Sequence, residues 1–212
     1  QVREGQFVVR ELEGVTGCIH ALLTDRNGEL WLGMNGEGLA RYRGGVVTKL
    51  FTPADGLVHG EITVLRQDRA GPLWIGTRQG LSQFKDGRFT NYTTASGLSN
   101  GHVRDLYEDQ DGALWIGTYG GGLNRLKEGR LTQVTTRHGL FDDTVSRILV
   151  DDRDRFWMLG NRGIFYVSRQ QLNDVADGRS RTLTGGSYGV ADGMLSSEGN
   201  GLYQPAGWRM RD

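Results

Sequence analysis

A unit of about 42 residues, repeated four times, constrains this chain more than any other feature. Asp25-Arg-Asn-Gly28-Glu-Leu30-Trp31-Leu-Gly33 aligns with Asp68-Arg-Ala-Gly71-Pro-Leu73-Trp74-Ile-Gly76 and with Asp109-Gln-Asp-Gly112-Ala-Leu114-Trp115-Ile-Gly117. A fourth copy, Asp151-Asp-Arg-Asp154-Arg-Phe156-Trp157-Met-Leu159, keeps the aspartate and the tryptophan but loses both glycines. The aspartates are 43, 41 and 42 residues apart. That is the period of a four-stranded propeller blade.

Each landmark has a physical reason. The aspartate accepts a hydrogen bond from the backbone two residues on, and the glycine after it takes positive φ, so Asp-x-x-Gly predicts a tight hairpin turn. The Leu-Trp-Ile stretch is then a strand. A tryptophan recurring once per unit is expected between neighbouring sheets, burying roughly 150–250 Å², and the glycine two residues later lets those sheets approach. Further apolar columns keep the phase: Ile19, Ile62, Val103 and Val145 six residues before the aspartate, and Leu22, Leu65, Leu106 and Ile148 three before it. Gly-Leu or Gly-Ile opens a third strand, and a turn such as Asp86-Gly87 leads to a fourth, Arg88–Tyr92. Gly56-Leu57, Gly97-Leu98 and Gly139-Leu140 precede the next aspartate by 12 residues. Turn signals at this spacing leave no room for paired helices.

The expectation is an all-β propeller arc: four four-stranded blades with partial blades at both ends, belonging to a larger ring. The boundaries are 1–14, the last strand of a preceding blade; 15–58, 59–99, 100–141 and 142–188, blades one to four; and 189–212, the start of a fifth. Blade four carries an irregular insertion from Ser168 to Gly186, and Asp212 stands where the fifth turn aspartate belongs, with Trp208 out of phase.

Thirty-four glycines against three prolines suit many short strands and argue against long helices. With 25 basic and 25 acidic residues scattered along the chain, there is no electrostatic footprint for nucleic acid or an anionic membrane. The single cysteine, Cys18, reads as a small buried apolar residue and leaves the redox compartment open. No apolar window approaches the length of a membrane span.

Leu-Trp-Ile-Gly-Thr followed by Gly-Gly-Leu, preceded by Asp-x-x-Gly and spaced by about 42 residues, resembles the two-component regulator propeller repeat. The third unit matches best. The resemblance implies a seven-bladed ring in the periplasmic sensor region of an inner-membrane receptor, with a histidine kinase or diguanylate cyclase beyond the membrane. It implies ligand sensing, carbohydrate fragments being one class, and homodimerisation, with the remaining blades and receptor domains as partners. It hands over no catalytic set and no cofactor. Asp25, Gly28, Trp31, Gly33, Asp68, Gly71, Trp74, Gly76, Asp109, Gly112, Trp115, Gly117, Asp151 and Trp157 are therefore read as fold-makers. No calcium loop is expected at Asp109-Gln-Asp111-Gly112, which lacks the bidentate glutamate at position 12.

If the arc carries a site, the loops converging on the axis hold it. The candidate ligand-binding, channel-lining residues are His20, Thr63, Arg104 and Ser146, one column after the apolar landmark, with Asp105 and Arg147 beside them; Tyr119 and Asn161 follow in later loops. No residue is assigned to a metal. His59, Glu61 and His102 lie in loops of one face. That arrangement supports a rival reading, a metal-dependent lyase resembling streptogramin lyase; a pure protein-interaction scaffold is the third.

Overall fold

The computed structural model describes residues 2, 3, 6, 7, 12, 15, 17–198 and 204. Strands β1 (Val2–Arg3) and β2 (Gln6–Phe7) form a small antiparallel pair. Four antiparallel sheets follow, each a meander of four consecutive strands. The first holds β3 (Ile19–Thr24), β4 (Leu30–Met34), β5 (Leu39–Arg43) and β6 (Val46–Phe51). The second holds β7 (Ile62–Gln67), β8 (Leu73–Thr77), β9 (Leu81–Lys85) and β10 (Arg88–Tyr92). In the third are β11 (Val103–Glu108), β12 (Leu114–Thr118), β13 (Leu123–Lys127) and β14 (Arg130–Val134). The fourth comprises β15 (Arg147–Val150), β16 (Arg155–Leu159), β17 (Ile164–Ser168) and β18 (Gly186–Tyr188). The opening strands β3, β7, β11 and β15 pack side by side, which makes the sheets blades around a common hub.

The repeat aspartate does two jobs. One carboxylate oxygen caps its own turn, accepting from the N–H groups of Asn27 and Glu29 in the first unit and of Asp111 and Ala113 in the third. The other accepts the indole N–H of the tryptophan six residues on, at 3.0 Å from Trp31, 2.8 Å from Trp74, 2.9 Å from Trp115 and 2.9 Å from Trp157. The second unit has Pro72, which carries no N–H, where the first has Glu29; there Asp68 takes the N–H of Gly71 instead. The fourth unit keeps the turn without glycine, Asp154 holding φ at 57°, a region short polar side chains tolerate.

Among the described residues three of the four cores are shared by two blades, the fourth, around Leu32, Met34 and Ala40, lying on the outer face of the first. Trp31, Phe51 and Leu57 of the first pack with Ile62, Leu65 and Ile75 of the second. Trp74, Leu81 and Leu98 pack with Leu106, Leu114 and Ile116, and Trp115, Leu123 and Leu140 pack with Ile148, Phe156 and Met158. The strand glycines sit on these seams. A Cβ at Gly33 would lie 2.5 Å from Ile62, at Gly76 2.7 Å from Val103, and at Gly117 2.6 Å from the Val145 carbonyl. The Gly-Leu pairs before each unit end short 3-10 turns, the glycine in left-handed geometry and the leucine buried.

The passage from Ser168 to Gly186 departs from expectation, because it contains a helix, α1 (Arg169–Ala176). Ser168 caps it by accepting from the Gln171 N–H at 3.3 Å. Leu172, Val175 and Ala176, spaced for one helical face, join the core around Trp115. Three apolar residues in eight are too few to announce a helix without that neighbour.

Of segment 1–14, β2 pairs with β1 and Leu12 packs near Leu32 and Ala40; the rest of the outer strand expected there lies outside the described residues. So do Trp208 and Asp212. Residues 190–193 form a further 3-10 turn closed by Gly193 at φ 97°, matching those before units two to four.

Candidate functional site

Three of the four residues in the column nominated for the channel are bulge residues; Ser146 lies just before β15. The register between the first two strands slips at His20, Thr63 and Arg104, one extra residue in each opening strand. A bulge re-aims a side chain. Two of these turn toward the next blade: the Thr63 hydroxyl donates to the Val103 carbonyl at 2.7 Å, and His20 hydrogen-bonds the backbone of Ile62. Both are buried, as is Ser146. In these positions the column fastens blade to blade. Arg104 is only half-buried, its guanidinium 5.1 Å from the ring centre of Tyr119.

Asp105 and Arg147 meet at the junction of β11 and β15. The Asp105 carboxylate accepts from the Ile148 N–H at 2.7 Å and from Arg147 Nη1 at 3.2 Å. Burial pushes its pKa up, opposed by the Arg147 charge. On the neighbouring strand Arg66 donates to the Leu106 carbonyl at 3.2 Å, and the Gln204 carboxamide pairs with both the N–H and the carbonyl of Leu65. Side chains thus satisfy the free edges of the hub strands, which would otherwise be templates for another chain.

The residues that converge openly lie at the loop end of the second and third blades. Tyr119 is 45% exposed, with the His102 ring 5.6 Å away and Arg104 over its face. Arg78 pairs with Glu61 at 3.1 Å. His102 is lowered to about 4, first by desolvation and then by the charges of Arg104 and Arg78, with Glu61 opposing. It is neutral at pH 7 and presents a donor and an acceptor. His59 is turned into its own loop, accepting from the Glu61 N–H, and His138 caps a 3-10 turn. Asn161 reaches only Thr144, at 3.4 Å. Among the described residues no group of three His, Cys, Asp or Glu side chains is placed to hold a metal.

Arg78 was absent from the sequence-based set, although it occupies the same column, four after the tryptophan, as Tyr119 and Asn161. Reading that column in full would have found it. The indole–aspartate bonds had no comparable signal beyond their constant spacing of six residues.

Residues 97–120 match the family model described as "Two component regulator propeller". Over 46 residues the chain is 46% identical to Histidine kinase P4 of Formosa agariphila, a stretch covering 22% of this chain and 3% of that protein. Among solved structures, it is similar to the extracellular domain of the putative hybrid two component system BT4673 from B. thetaiotaomicron: TM-score 0.65, 22% identity, 81% of this chain and 25% of that one. It also superimposes on virginiamycin B lyase from Staphylococcus aureus, with TM-score 0.60 and 14% identity over 83% of this chain and 57% of the other. At these identities the structural matches speak for the propeller fold. The chain spans a quarter of the BT4673 domain.

Proposed function

Since this chain carries the two-component regulator propeller repeat, we propose that it is the ligand-sensing or dimerising propeller portion of a bacterial transmembrane receptor, lying in the periplasm and non-catalytic in itself. The single observation that carries the ligand-sensing reading is the cluster of Arg78, His102 and Tyr119, on loops of a rigid scaffold, with Arg104 from the bulge of β11. An exposed aromatic ring beside guanidinium groups and a neutral imidazole suits a sugar, which stacks a ring face and shares its hydroxyls among several donors. Capture of such a ligand, or contact between two receptors, biases their relative orientation and with it the signalling domains across the membrane.

Thermal-shift titration of the intact propeller against oligosaccharides tests this. Stabilisation by a saccharide, abolished in Tyr119→Ala and Arg104→Ala, is the expected result. A full-length receptor whose output is unchanged when the propeller is deleted would overturn the sensing role. The lyase reading draws on the superposition with virginiamycin B lyase. Metal-dependent turnover of a streptogramin by the intact propeller would establish it instead.

A further inference from the structure

Three seams separate the four blades, and the residue paired across from the seam tryptophan is arginine at two of them and glutamine at the other. Arg41 faces Trp31, Gln83 faces Trp74 and Arg125 faces Trp115. At the third seam Arg125 is 5% exposed. Its guanidinium lies 5.8 Å from the Trp115 ring, and it is held by Asn173 Oδ1 at 2.7 Å and by the Asp177 carboxylate. Both partners come from α1 and its C-terminal cap, whose apolar face enters the same core. The chain itself fills this seam with a short helix ending in carboxamide and carboxylate groups.

The first seam has the same arginine and no helix. A cleft of about 350 Å³ lies there, lined by Trp31, Arg41, Leu73, Phe84 and Lys85. Arg41 makes one long contact, Nε to Thr48 Oγ1 at 3.4 Å, and has no carboxylate partner among the described residues. Of the three acidic residues at the rim, Asp25 is engaged by its turn and the Trp31 indole and Glu29 by Arg43 at 3.6 Å, while Asp86 sits in the hairpin turn beside Lys85 with φ at 49°. At the third seam the repeat aspartate, Asp109, takes the Trp115 indole N–H and lies 3.9 Å from Arg169 of the helix, so a repeat aspartate does not exclude a helix that brings a compensating charge. The second seam is an internal control, with neutral Gln83 and a cleft of only about 160 Å³.

We propose that the first-seam cleft docks a short helical segment of a partner polypeptide that carries charges of both signs, its C-terminal Asp and Asn side chains holding Arg41 as Asp177 and Asn173 hold Arg125. The cleft is at the turn end of the strands, away from Tyr119 and Arg78, so this docking is independent of ligand sensing at the loop face.

A hydrocarbon-stapled, fluorescent peptide of residues 168–180, titrated into the whole chain by anisotropy, tests it. Saturable binding is expected, weakened about tenfold by Arg41→Ala and by Asp177→Ala in the peptide, as for loss of one charge-assisted hydrogen bond. Gln83→Ala should leave binding unchanged. Binding indifferent to Arg41→Ala in a variant with native circular dichroism overturns the proposal, as does the absence of saturable binding to the folded chain. So does a glucuronate oligosaccharide that binds through Arg41 more tightly than the peptide, which would reassign the cleft to saccharides.

Discussion

The same sequence column has opposite fates in the interior and at the edge of the arc. Leu65, Leu106 and Ile148 are 1%, 3% and 3% exposed, because each is covered by the blade before it. Leu22, their counterpart in the first blade, is 54% exposed. At the other edge Trp157 is half-buried where Trp115 is fully buried, and Tyr188 and Val190 are exposed beyond it. The glycine column ends there too: Leu159 stands where Gly33, Gly76 and Gly117 let a neighbour approach. A side chain at that point means any element packed on the fourth blade sits farther out than the blades sit from one another. Burial in this fold belongs to the seam, not to the residue.

Substitutions matched across seam and edge put that lesson at risk. The largest gap is expected for tryptophan: Trp115→Ala should cost about 3–5 kcal/mol in urea unfolding, as large-to-small changes in cores do, and Trp157→Ala distinctly less. Leu65→Ala should cost about 2–5 kcal/mol, whereas Leu22→Ala stays within about 0.5 kcal/mol; equal costs would mean that Leu22 is covered in solution. Overpacking follows. Gly76→Val should lose about 1–3 kcal/mol, because even its Cβ meets Val64 at 2.4 Å, while Leu159→Val in the same column should be close to neutral.

The smallest effect is a pH signature of the second seam. The folded pKa of His102 lies below its unfolded value, so the unfolded chain binds more protons between pH 6.5 and about 4. Stability is fully present above that window and falls as pH drops through it. His102→Gln should flatten the melting temperature across that window, and an unchanged pH profile would refute the desolvated, neutral state given to His102.

The repeat made the blades legible because its cues are local. A capped Asp-x-x-Gly turn, a strand with one glycine and a positive-φ hairpin at Asp86-Gly87 are each written in a few adjacent residues. What stayed hidden depends on contacts between blades. The helix at 169–176 packs on the surface around Trp115, and the bulge residues His20 and Thr63 hydrogen-bond backbone groups some 40 residues away. The nominated site was accordingly half legible. The column was identified, but whether a member faces a neighbouring blade, as Thr63 does, or the ring of Tyr119 in its own blade, as Arg104 does, depends on the bulge and side-chain length rather than on the pattern.

Because the three large apolar cores among the described residues straddle two units, the cooperative element of this molecule is offset by half a repeat from the element of its sequence. A single excised unit would carry a complete hairpin turn with its indole bond and no interior. Lengthening or shortening such an array by whole units leaves every internal junction matched, whereas a break within a unit strands two half-interiors at once. Loss of order should therefore begin at an outermost sheet and advance junction by junction, with the indole N–H protons reporting in sequence how far it has travelled.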